Sequence, residues 1–62
     1  MNKVAQLRKQ QKMSQSELAA KVGISRTFLS TIETGAANPT LPVAQRIAQA
    51  LGQATDTVFP KP

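Results

Sequence analysis

Four residues in one short segment, Arg26, Thr27, Ser30 and Thr31, carry side chains suited to reading a polar surface. On a helix that turns Leu29 and Ile32 inward, these four must face outward. Arg26 could donate two hydrogen bonds to guanine N7 and O6, or clamp a phosphate; its plain alternative is a solvated charge. Thr27 offers a hydroxyl to base edges and a methyl to thymine. The hydroxyls of Ser30 and Thr31 are candidate base contacts of shorter reach. Phe28 lies beside the apolar stripe, either packed on the core or touching thymine methyls or a sugar.

Catalysis has little to draw on. The chain has three carboxylates, no histidine and no cysteine, so no enzyme, metal site or cofactor is expected. Eight Lys and Arg residues against three acidic ones give a formal charge of +5, which favours polyanions. Lys3, Arg8, Lys9 and Lys12 place half of the positive charge in the first twelve residues. Lys3, Lys9, Lys12, Lys21 and Arg46 read first as solvated charges, with non-specific phosphate steering as a second role.

The elements that must hold these residues are short. Sixty-two residues make one domain, 1–62, and leave a thin margin of stability. Hydrophobic residues are 40 % of the chain, but nine of them are alanines, and Phe28 and Phe59 are the aromatics. That composition suits short helices packed through small residues, and no alternating β-branched run argues for strands. No apolar stretch approaches the ~20 residues of a membrane span. The opening Met1-Asn2-Lys3-Val4 lacks the apolar core of a signal peptide. The expectation is a cytoplasmic, nucleoid-associated protein with no membrane partner, complete from Met1.

The first helix is expected over about Asn2 to Lys12, with Val4, Leu7 and Gln11 sharing a face. Ser14-Gln15-Ser16-Glu17 reads as a capping box, opening a second helix with Leu18, Ala19 and Val22 inward. Gly23 stops it, and Ser25 caps a third helix that ends near Gly35. Ala36-Ala37-Asn38-Pro39 is a loop. Thr40 caps a fourth helix, Pro42 sits in its first turn, and Gly52 ends it. Its core stripe is Val43 or Ala44, Ile47, Ala48 and Leu51. Thr55 or Asp56 opens a last turn with Val58 and Phe59, and a tail at 60–62 is expected to fray. Phe59 either covers the monomer core or joins a dimer interface.

From Gln15 to Ile32, the apolar Leu18, Val22, Ile24, Leu29 and Ile32 combine with small Ala19 and Gly23. Two helices crossing steeply over a three- or four-residue turn need this pattern: Ala19 for close approach, Gly23 for the turn, Ile24 to plug the corner. A generic helical hairpin would rarely share all seven.

The sequence here resembles the phage repressor and Cro-like, Xre-type helix-turn-helix family. The matching text is Leu7-Arg8, SQSELAAKVGISRTFLSTIETG from Ser14 to Gly35, Asn38-Pro39, and IAQALG from Ile47 to Gly52. Ala36-Ala37 departs from the family, where basic residues are frequent. The resemblance implies an all-α, five-helix, lambda-repressor-like domain that binds double-stranded DNA, commonly as a homodimer on a palindromic operator, in bacteria and phages. It implies a transcription regulator, such as a repressor, with its third helix in the major groove.

By the same resemblance, Gln15 touches the DNA backbone, where a helix N-terminus and a side-chain amide can meet a phosphate. Its alternative is an exposed first-turn polar residue. Ser25 and Asn38 join it as candidate phosphate contacts, Asn38 with the alternative of a turn-former before proline. The resemblance also implies a partly buried ion pair between Arg8 and Glu33. A second function class stays open, an antitoxin-like protein that binds a partner protein and autoregulates. A cationic membrane-active helix lacks the bulky apolar face it would need.

Overall fold

The computed structural model describes residues 2–61, and its regular structure consists of helices. These are α1 (Val4–Gln10), α2 (Gln15–Val22), α3 (Arg26–Thr34), α4 (Leu41–Leu51) and α5 (Thr55–Val58). No strand occurs among the described residues, so the all-α class and five-helix order expected from the sequence are those observed. The fraying expected of the tail falls partly on Pro62, which lies outside the described residues, as does Met1.

The first helix is shorter than its periodicity suggests. The Asn2 carboxamide oxygen accepts the Val4 amide at 3.1 Å, so helical geometry begins only after Lys3. At the other end Lys12 takes a left-handed conformation with φ 58°. Its amide bonds to the Lys9 carbonyl at 3.0 Å, and the Met13 amide reaches back to the Arg8 carbonyl at 3.0 Å. That pair of bonds is the Schellman ending, usually given to glycine because a side chain here costs on the order of 1 kcal/mol.

At α2 the local chemistry matches the reading closely. The Ser14 hydroxyl accepts from the Glu17 amide at 3.0 Å, and the Glu17 carboxylate accepts from the Ser14 amide at 3.1 Å. Gly23 ends the helix at φ 85°, with its own amide and that of Ile24 both bonded to the Ala19 carbonyl. A Cβ at Gly23 would meet nothing within 4 Å, so the constraint is conformational and not steric. Thr40 and Ala54 precede α4 and α5 without a side-chain cap bond, and Pro42 lies in the first turn of α4.

Every helix contributes to one aliphatic core. Val4, Leu18, Leu29, Ile32, Ile47, Leu51 and Val58 are fully buried, each worth about 1.5–3 kcal/mol of transfer free energy. Ala19, Ala44 and Ala48 are buried as well, Ala19 and Ala48 within the same cluster. α2 packs on α3 and α4, while α4 also holds α1 and α5. Phe28 and Phe59 pack at the rim, half-buried, beside Leu7, Met13, Ile24 and Val43. Among the described residues, Leu41 alone of the large apolar side chains is exposed.

Long-range bonds at the chain start and at the end of α1 help to close the domain. The Lys3 amide donates to the Val58 carbonyl at 2.8 Å, joining the start of α1 to α5. The Gln11 carboxamide donates to the Leu51 carbonyl at 2.7 Å, satisfying an end of α4 that lacks an intrahelical partner. The Asn2 carboxamide nitrogen donates to the Ile32 carbonyl at 2.8 Å, tying the last turn of α3 to the chain start. No helix among the described residues is long and apolar enough to cross a membrane.

Candidate nucleic-acid interface

Only Gly23, Ile24 and Ser25 separate α2 from α3. The turn holds because Gly23 adopts the left-handed angle and Ser25 caps the next helix, its hydroxyl accepting from the Phe28 amide at 3.0 Å. Leu29 and Ile32 point wholly into the core, which leaves the opposite face of α3 to the polar residues. Arg26 and Thr27 are exposed, and Ser30 and Thr31 are half-buried. The Thr31 hydroxyl donates to the Phe28 carbonyl at 2.7 Å, so its proton is committed to the helix and its oxygen and methyl remain. Phe28 packs against the core from its edge, and part of its ring stays accessible.

Arg26 occupies the first position of α3, where the helix dipole disfavours a cation, and no acidic residue in that turn offsets it. α2 is built the other way, with Glu17 in its first turn and Lys21 in its last. Arg26 is exposed there, and no hydrogen bond or ion pair to its side chain occurs among the described residues. Seven of the eight basic side chains, Lys3, Lys9, Lys12, Lys21, Arg26, Arg46 and Lys61, are exposed and free to meet a polyanion.

The eighth is internal. Arg8 Nε donates to Glu33 Oε2 at 2.8 Å and Arg8 Nη2 to Glu33 Oε1 at 3.2 Å, a two-pronged pair. The two side chains are 11 % and 6 % exposed. Arg8 Nη1 bonds to the Met13 carbonyl at 2.9 Å, and Gln15 Nε2 donates to Glu33 Oε1 at 2.9 Å. No buried polar side-chain atom among the described residues lacks a partner. Burial pushes the Glu33 carboxyl upward, but the hydrogen bonds from Arg8 and Gln15 and the charges of Arg8 and Lys9 outweigh it. They hold it below the ordinary value of 4.5. One carboxylate thus ties α1, the entry to α2, and the end of α3.

The remaining candidate positions are distributed around this unit. Gln15 opens α2 half-buried, its amide nitrogen turned to Glu33. Ser25 is exposed at the start of α3, and Asn38 is exposed in the loop before α4. Two residues the sequence reading did not single out also belong here. Asn2 grips the Ile32 carbonyl, and the Met13 carbonyl completes the Arg8 coordination. A polar residue just ahead of a helix was the one available signal for Asn2; Met13 acts through its backbone and offered none.

Two helices joined by a three-residue turn, the second presenting a polar face over a buried anchor, define a helix-turn-helix domain. The chain belongs to the helix-turn-helix family: that family's model matches residues 4–58. It is 42 % identical over 48 residues to y4dJ, an HTH-type transcriptional regulator of Sinorhizobium fredii, a match covering 77 % of this chain and 62 % of y4dJ. The N-terminal DNA-binding domain of SinR from Bacillus subtilis superposes with a TM-score of 0.84 at 30 % identity, over 94 % of this chain and 86 % of that one. A structure of a SinR–SinI protein complex gives 0.85 at 30 % identity, over 94 % of this chain and 57 % of that one. The chain therefore spans less than two thirds of the length of y4dJ.

Proposed function

We propose that this chain binds double-stranded DNA through α3 in the major groove and regulates transcription by occupying an operator. The observation that carries this reading is the exposed Arg26 and Thr27 at the leading end of a helix whose other face is locked into the core. Arg26 reads guanine or clamps phosphate, and Thr27, Ser30 and Thr31 follow along the groove. Gln15, Ser25 and Asn38 contact phosphates and fix the register. Phe28 can add an apolar contact from its accessible edge. A homodimer would place two copies of α3 about 34 Å apart, one turn of B-DNA, on a palindromic site. The names of y4dJ and of the SinR domain point the same way.

Selection from a random duplex pool at ~150 mM salt tests the proposal, because non-specific binding is weak there. Enrichment of a palindrome establishes the specific regulator. Retention that falls steeply with salt and enriches no motif reduces it to non-specific affinity. A protein partner is a second reading, favoured by the occurrence of this fold in the SinR–SinI complex. Co-purification of a stoichiometric protein from the native host, competing with DNA for the chain, would bring that reading forward.

A further inference from the structure

We propose that Glu33 is a positioning residue for the DNA contact, holding the Gln15 side chain so that Nε2 bridges the buried carboxylate and a DNA phosphate. The inference rests on the reading of Gln15 as a phosphate contact.

Gln15 is the first residue of α2, and Glu33 lies in the last turn of α3. Gln15 Nε2 donates to Glu33 Oε1 at 2.9 Å. A primary amide nitrogen carries two N–H groups about 120° apart, and the carboxylate takes one of them. The second is left for a phosphate oxygen. An ionised carboxylate can only accept, so it admits the nitrogen side of the amide and repels the oxygen side. Two nearly isosteric orientations of Gln15 are thereby reduced to the one that offers a donor.

Arg8 makes this compatible with an approaching phosphate. It contacts both carboxylate oxygens, so the anion beneath Gln15 is neutralised locally. Its third bond, to the Met13 carbonyl at 2.9 Å, steadies the backbone two residues ahead of Gln15. The Glu33 side chain is only 6 % exposed, so it acts on DNA through Gln15 and not by contact.

The test follows the Gln15 side-chain NH2 pair by 15N–1H NMR while a short mixed-sequence duplex is added at low salt. A phosphate contact needs no specific sequence. The pair is expected to shift with duplex, and Glu33→Gln, whose amide no longer admits only the donor side of Gln15, is expected to weaken that response. In binding assays Gln15→Met and Glu33→Gln should each weaken duplex affinity about three- to tenfold, the scale of one hydrogen bond. The double variant should lose no more than the worse single. Circular dichroism fixes a temperature at which each variant is folded, and the wild-type titration stands even if Glu33→Gln does not fold. An unmoved NH2 pair while backbone amides of α3 shift would overturn the inference and leave DNA binding intact. So would losses that multiply in the double variant. A wild-type chain that binds no duplex would overturn both.

Discussion

At its leading end α3 presents its cap Ser25 and its first residues Arg26 and Thr27 to solvent. That end is held locally by the Ser25 hydroxyl, which accepts from the Phe28 amide, and the Ser25 carbonyl, which accepts from the Leu29 amide. At its last turn Glu33 is buried, meets Arg8 and Gln15 through three hydrogen bonds, and stands next to an Ile32 carbonyl held by Asn2. One helix thus has an end spent on its own protein and an end left available. The difference teaches where the larger effect of a substitution should register: at Glu33 in stability, at Arg26 in binding.

Removing Glu33 gives the largest expected effect. Glu33→Ala strands Arg8 without its buried partner and should cost about 3–5 kcal/mol, a large share of the margin of so small a domain. Glu17→Ala, at an exposed cap, should lower the melting temperature far less. Equal melting temperatures for the two would erase the contrast between buried and exposed carboxylates.

Acid should attack the same end. The folded Glu33 carboxyl lies below its ordinary 4.5, so its contribution is complete above that value. It is lost as pH falls from there through the lower, folded value. Melting curves stepped into the acid range should show this loss in the wild type and a flatter dependence in Glu33→Gln.

Arg26→Ala probes the opposite end. Duplex affinity should drop by about five- to a hundredfold, the span of one good base contact. The melting temperature should stay level or rise slightly, since the cation opposes the helix dipole. A matching loss of stability would mean that Arg26 serves the fold.

Ser25→Ala should cost about 1 kcal/mol through the lost cap, with the loss appearing in thermal melts before any ligand is added. The smallest effect concerns the turn before α2. Lys12→Gly should stabilise by up to about 1 kcal/mol by relieving the left-handed strain, and should lose a little non-specific affinity at low salt. A destabilised Lys12→Gly would show that the Lys12 side chain outweighs its backbone.

Local signals explain what was legible beforehand. Ser14 with Glu17, Gly23 and Ser25 act within three or four residues of themselves, so their roles stand in the text of the sequence. The stripe of Leu29 and Ile32 fixed the polar face of α3 for the same reason. The pairing of Arg8 with Glu33, twenty-five residues apart, came only through family resemblance and is the pairing observed. What could not be read depends on where helices come to rest. Nothing near Gln15 says that its amide turns toward Glu33, and nothing near Asn2 names the Ile32 carbonyl thirty residues away. Helix α1 is shorter than its periodicity predicts, because periodicity ignores the Asn2 side chain that accepts the Val4 amide and the reversal at Lys12.

The bond from the Lys3 amide to the Val58 carbonyl has a modular meaning as well as an energetic one. It brings the first and last helices' outer ends side by side, so the domain is entered and left at neighbouring points. Spliced into a host protein's surface loop, or rejoined by a short linker and reopened elsewhere, it would ask for little slack in the chain. Its architecture is that of a cartridge, with both points of attachment on one side of the domain.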